Sequence, residues 1–360
     1  MKYKDLTDKY FLRSKEILEK EKINPVVKYQ VFCRKSTKMP NIEDALDFLI
    51  KHSGDDIDIT CKKEGTQINS GEIFLEYFAP IQDIIDLETV LLGLLSSSFT
   101  GKLVYEDFKE IEKNAAAVVK AAKDKPVFYF GARHYDPKHD SEIAKICKEV
   151  GFAGTSTDNG AKHFNSKGIG TIPHSLILAV YSDIMEREEF GINPTVRTTE
   201  LFDKHMPSEV PRIALIDTFN RELSDSIETA TKVHGLNGVR IDTCGENFSQ
   251  TIRPISPPSK YMVGKGVTVE AVWNLRNVLP DDIKITVSSG FNAEKTEKFM
   301  QMNSKYLERF GIPLFDSIGT GSLLPRAVMT TSDIVSYYSN RRDSWLPLSK
   351  VGRNERTCNW

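Results

Sequence analysis

The strongest constraint on this chain is a rhythm that begins at Pro126. Apolar runs of four to six residues recur from there, each closing on small or polar residues: VFYFGARH (127–134), GFAGTS (151–156), GIGTIPH (168–174), RIALIDTF (212–219), GVRIDT (238–243), IKITVSSG (283–290) and PLFDSIGTG (313–321). Helical patterns fill several gaps, at 141–150, 221–234 and 292–310. Short, continuously apolar strands alternating with helices specify a parallel sheet covered on both faces. This many units predict an α/β barrel, closed or nearly so, over residues 126–329. Ligands of such sheets bind at the C-terminal strand ends. Two longer connections, 176–211 and 244–282, interrupt the rhythm and are read as rim excursions or helices.

Residues 1–125 read differently. Helices are expected near 7–21, 41–50, 87–97 and 105–123, with strand-like stretches at VVKYQVFCRK, 56–61 and 71–77, an α+β pattern without βαβ units. Beyond about 330, DIVSYYS and WLPLSKVGR read as a strand pair returning to this N-terminal unit. With 48 Lys and Arg against 50 Asp and Glu, no basic field points to nucleic acid or an anionic membrane surface. The apolar runs are too short to span a bilayer, and the opening MKYKDLTDKY lacks the apolar core of a secretory signal. Five cysteines, odd in number and never in a CxxC pair, fit reduced thiols in a cytoplasm rather than disulfides or structural zinc.

The strand ends carry chemistry. They comprise Arg133 and His134; Thr155, Ser156 and Thr157; His174; Asp217; Arg240, Asp242 and Thr243; Ser288, Ser289 and Gly290; and Gly319, Thr320 and Gly321. Arg240 and Asp242 are two apart on a strand and so face one way. The SSGFNAEK and IGTGSLLP loops present backbone N–H groups beside small residues, and the first opens a helix, as phosphate cradles do. Two cradles and two arginines at one mouth suit a polyphosphorylated substrate. Each feature has a plainer reading: GTG and SSG as tight turns, His174 as a structural residue, Arg240–Asp242 as a structural ion pair. HYDPKHD (134–140) fits no standard metal spacing.

In that order, FGARH, GTST, GTIPHSL, DTF, GVRIDT, SSGFN and IGTGS resemble the nicotinate phosphoribosyltransferases and their nicotinamide-using relatives. LTDKYF (6–11) and SKVGR (349–353) are similar to that family's opening segment and closing strand. The resemblance implies an irregular seven-stranded α/β barrel, an α+β domain built from both termini, and a homodimer with shared active sites. It implies transfer of phosphoribose from phosphoribosyl pyrophosphate to nicotinate, with Mg²⁺ carried by the pyrophosphate. Phe130 matches the aromatic that stacks on the pyridine ring, and Tyr10 the tyrosine a neighbouring subunit places on its other face. Arg133, Arg240 and Asp242 match residues around the base and the phosphoribosyl pyrophosphate. Ser288, Ser289 and Gly290, with Gly319, Thr320 and Gly321, fall in the loops that hold the 5′-phosphate. His174 matches a histidine that many members phosphorylate with ATP; Thr155, Thr157 and Asp217 count with the substrate-binding set.

Ser156 stands where amide-using relatives place an aspartate. A hydroxyl there donates to a carboxylate that an aspartate would repel, which favours nicotinate. The chain lacks the cysteine-rich C-terminal extension of some members and carries proline before His174 where others have alanine, which bears on ATP coupling. A decarboxylating quinolinate phosphoribosyltransferase and a catalytically silent binder of NAD precursors stay as alternatives.

Overall fold

In the computed structural model, which describes residues 2–250 and 259–358, the apolar runs assemble into a six-stranded sheet. Its order is Gly154–Thr155, Val127–Tyr129, Ser317–Thr320, Lys284–Val287, Leu236–Ile241, Arg212–Leu215, and every neighbouring pair is parallel. The run at 168–171, expected as a strand, forms no ladder. It lies extended between the two edges of the curled sheet: Ile169 N–H donates to Thr155 O at 2.9 Å, and Thr171 Oγ1 to Ile213 O at 2.8 Å. One bond to each edge bridges the curl. Two glycines and a proline explain why it goes no further: Gly170 takes φ +139°, and Pro173 has no N–H to offer.

The helices follow the sequence pattern closely. Asp140–Glu149, Glu222–Lys232 and Ala293–Phe310 cover the sheet, and the longest is capped by Asn292, whose side chain accepts from Lys295 N–H. Helices His174–Glu186 and Pro194–His205 fill the first long connection, and Val269–Val278 lies in the second. Residues 251–258 of that second connection lie outside the described residues.

A second sheet is wholly antiparallel, in the order Ser344–Pro347, Thr330–Ser339, Val26–Cys33, Ile73–Pro80, Asp58–Cys61. It therefore joins chain from both ends of the sequence. The SKVGR segment is not strand: regular structure ends at Pro347, and the tail turns toward the parallel sheet. Two apolar clusters underlie the two sheets. The helix Tyr105–Ala122, counted from sequence with the N-terminal unit, buries Ile111, Ala115, Val118 and Ala122 in the cluster beneath the parallel sheet. These residues fall four, three and four apart, one helical face. Conversely, Leu176, Ile177 and Val180 of His174–Glu186 pack in the other cluster. Among the described residues no single helix is long and apolar enough to cross a membrane.

Candidate active site

A cavity of about 1520 Å³ opens at the C-terminal ends of the parallel strands. Part of its wall is close-packed main chain. Gly131 and Gly321 approach so closely that a Cβ on Gly321 would lie 2.6 Å from Gly131 Cα, and a Cβ on Gly319 would collide with the Phe130 ring. Glycine is thus required for the phenylalanine to lie against that wall. Across the sheet, Ser289 and Gly290 both take positive φ (75° and 67°), turning the chain sharply out of Lys284–Val287 toward the helix at Ala293. A serine held in that conformation is a locally strained residue at a ligand-facing turn.

Phe130, Tyr10 and Arg133 line the cavity. Tyr10 arrives from its own chain, whereas the resemblance has a neighbouring subunit supply it. The helix Lys9–Glu21 sits on the parallel sheet because Lys9 N–H donates to Ser156 O at 2.8 Å and Lys9 Nζ pairs with Asp158 at 2.6 Å. The Arg133 guanidinium donates to the Tyr10 hydroxyl and faces Glu88 at 3.3 Å and Asp8 at 3.8 Å. Burial lowers its proton affinity, but Tyr10, Asp8 and Glu88 reverse that, so it stays a cation. Burial pushes Glu88 up to about 8, with Arg133 opposing. His134 is pulled by burial down to about 4 and is neutral at pH 7.

His174, Arg240 and Asp242 line the cavity as well, with the turns at 288–290 and 319–321, the second of which lies against Phe130. Arg240 donates to Ile172 O at 3.2 Å, and its Nη1 lies 3.7 Å from Asp242 Oδ2. Asp242 accepts from Ser288 Oγ at 2.8 Å, tying the first arginine–aspartate strand to the serine turn. Thr320 Oγ1 is spent on Phe291 O at 2.6 Å, so of this residue the main chain is what the cavity can use. Asp217 does not line the cavity; it lies beneath His174, with Oδ2 3.1 Å from Nε2. Burial raises the Asp217 carboxyl's proton affinity, but Lys350 and His174 drive it far below the usual carboxylate range. An ionised Asp217 fixes the His174 proton on Nε2 and leaves Nδ1 a lone pair.

Thr155, Ser156 and Thr157 are buried and outside the lining. Thr157 caps the short helix at Asp158, accepting from Gly160 N–H, and donates to Asp140 at 2.9 Å. The donor role read for Ser156 finds no support in this placement.

Among the charged residues of the cavity that escaped sequence reading, Lys295, Lys350, Arg353 and Glu88 bear most on its chemistry. Lys295 lies one turn into the helix that follows SSGFN and donates to Ser289 O at 2.8 Å; burial brings it down to about 8, with Asp242 opposing. Its place behind a candidate phosphate turn was the available signal. Lys350 and Arg353 come from the tail, in SKVGR. Glu88 has no local signature, because only tertiary packing sets it beneath Arg133. Among the described residues no group of three or more His, Cys, Asp or Glu is arranged to hold a metal ion.

Comparison with known proteins bears on this geometry. Residues 5–99 match the family described as quinolinate phosphoribosyl transferase, N-terminal domain. The chain is 29% identical over 135 residues to nicotinate phosphoribosyltransferase pncB2 of Mycobacterium tuberculosis, a match covering 37% of this chain and 27% of that protein. The matched span is thus about a quarter of that curated relative's length. Nicotinate phosphoribosyltransferase of Porphyromonas gingivalis shares the fold with TM-score 0.68 and 12% identity, over 96% of this chain and 92% of that one. The Vibrio cholerae enzyme gives 0.63 and 14% over 94% and 89%. A putative nicotinate phosphoribosyltransferase of Saccharomyces cerevisiae gives 0.61 and 16% over 94% and 93%. The family resemblance read from the sequence is borne out.

Proposed function

We infer that this chain, which belongs with the nicotinate phosphoribosyltransferases in sequence and fold, transfers phosphoribose from phosphoribosyl pyrophosphate to nicotinate. The observation that carries the reading is a single cavity that gathers Phe130, Tyr10 and the buried guanidinium of Arg133 with Arg240, Asp242 and the two turns at 288–290 and 319–321. Phe130 and Tyr10 offer ring faces to a flat heterocycle, and Arg133 is the cation beside them for a carboxylate. The turns at 288–290 and 319–321 supply backbone N–H groups to the 5′-phosphate.

In this reaction the pyridine nitrogen's lone pair forms the bond to ribose C1, the bond from C1 to pyrophosphate breaks, and pyrophosphate departs with that electron pair. No proton has to move. The chain's task is alignment and charge: Arg240 and Lys295 face the departing anion, and Asp242 faces the ribose and its developing positive charge. Mg²⁺ carried by the pyrophosphate would neutralise part of its charge. Coupling to ATP through His174 is supported by its unprotonated Nδ1 beside the cavity. The homodimer and the cytoplasmic location belong to the same reading. So does the seventh strand of the barrel, which the bridging segment at 168–173 would complete if its ladder were extended.

Quinolinate is the alternative substrate, favoured by the family matched over residues 5–99. It needs a second cation for its second carboxylate; His134, next to Arg133, is neutral, so Arg13 or Arg240, which also line the cavity, would have to serve.

The test is pyrophosphate release with nicotinate, nicotinamide and quinolinate, each with and without ATP, with products weighed by mass spectrometry. Nicotinate is expected to give nicotinate mononucleotide fastest. Turnover only with quinolinate, with loss of CO₂, would install the alternative, and no turnover with any of the three would sink both.

A further inference from the structure

The C-terminal tail leaves the antiparallel sheet at Pro347 and crosses to the parallel one, where Val351 N–H donates to Thr218 O at 2.9 Å. That anchor drives Lys350 into the protein. Its ammonium, only 6% of the residue exposed, lies 2.5 Å from Asp217 Oδ2 and donates to Asp242 O at 3.0 Å. The same Asp217 oxygen faces His174 Nε2 at 3.1 Å. One buried carboxylate oxygen therefore serves both a lysine from the tail and the histidine of the cavity. Among the described residues the second oxygen of Asp217 is buried without a hydrogen-bond partner, so there these two groups are what fix the carboxylate's rotation.

We propose that Lys350 is a positioning residue of the cavity: its ammonium pins the Asp217 carboxylate against the His174 ring and so reserves the ring's Nδ1 for the bound ligand. The charges around the imidazole come from four elements. Asp217 follows the strand Arg212–Leu215, Asp242 follows Leu236–Ile241, Asp333 lies on Thr330–Ser339, and Lys350 is on the tail; Arg353, also on the tail, pairs with Asp333 at 3.3 Å. Burial and Lys350 hold His174 below its ordinary value, against Asp217 and Asp242. Removing the ammonium takes away the cation that most opposes protonation while Asp217 and Asp242 still favour it, so the proton binds His174 more tightly once Lys350 is gone.

The inference rests on the proposed reaction for its purpose, not for its test. The ring protons of His174, assigned by their loss in His174→Gln, are followed by NMR across pH in the full-length protein. In Lys350→Met and Lys350→Gln the titration midpoint is expected to rise above wild type, while Lys350→Arg restores it toward the wild-type position. Two neutral variants are used so that poor folding of one leaves the other to decide. Pyrophosphate release, measured beside it, is expected to fall at least ~10-fold at neutral pH in the neutral variants and to be rescued by arginine. A midpoint unmoved in the folded neutral variants overturns the proposal. A midpoint that rises in a protein releasing no pyrophosphate from any pyridine would uphold the Lys350 linkage and refute the proposed reaction instead.

Discussion

The parallel sheet meets the cavity with main chain, short polar side chains and the arginines Arg133 and Arg240, whereas the antiparallel sheet and the tail behind it add charged side chains of their own. From the first come the turns at 288–290 and 319–321, with Asp242 held by Ser288. From the second come Arg34, Asp333, Lys350 and Arg353. The difference follows from geometry. Strand ends of a parallel sheet converge, so small residues suffice and glycine is needed where backbones nearly touch, as at Gly131 and Gly321. The sheet standing to one side adds Asp333 from its own strand and, through the tail, Lys350 and Arg353. On this account the parallel sheet places the reacting groups and the antiparallel one sets their charge.

That division can be broken first at Arg240. Arg240→Ala is expected to cut pyrophosphate release by ~10- to 100-fold, the kinetic equivalent of about 1.5–3 kcal/mol for a lost charge-assisted contact. A change under threefold would remove the strand end from the reaction.

Lys295 sharpens the comparison, since it adds a titratable cation to the arginines on the parallel-sheet side. Its ammonium, lowered to about 8, is present below that pH and lost above it. Calorimetric affinity for phosphoribosyl pyrophosphate should therefore decline as pH rises through about 8, and Lys295→Met should bind several-fold more weakly at pH 7 without that decline. A Lys295→Met protein that keeps the alkaline decline would assign it to another group.

Glu88 tests the charge balance beneath Arg133. Its folded value, about 8, exceeds the ordinary 4.5, so the stability it contributes is complete below about 4.5 and is lost as pH rises through about 8. Melting temperature should fall across that window in the wild type and fall less in Glu88→Gln. Equal slopes in the two proteins would contradict the assignment.

The smallest effect is expected at Ser156, which is buried away from the cavity. Ser156→Ala should leave the nicotinate-to-nicotinamide ratio of kcat/KM within about threefold of wild type, measured by pyrophosphate release. A tenfold change would bring the GTST turn into contact with substrate.

These contrasts match what the sequence could reveal. The strand ends at Arg240, Ser288–Gly290 and Gly319–Gly321 were legible because a parallel strand's last residues are read directly from where its apolar run stops. The helices at 105–122 and 293–310 were legible from their spacing. What failed was anything set by a partner far along the chain. The run at 168–171 looks like its neighbours, but two glycines and Pro173 leave it a bridge between edges rather than a strand. Ser156 and Thr157 end an apolar run too, yet the helix Lys9–Glu21 covers them. Lys350 and Glu88 belong to the cavity only through tertiary packing, which no local pattern encodes.

The central claim is that the strand ends form one phosphoribosyl site, and the most direct measurement is a crystal structure with nicotinate mononucleotide bound. The account requires the phosphate within hydrogen-bond distance of the main chain at Ser289–Gly290 or Gly319–Gly321, and the pyridine ring against Phe130 with its carboxylate at Arg133. A nucleotide bound elsewhere, or with its phosphate at Arg133 and its ring at His174, would contradict it.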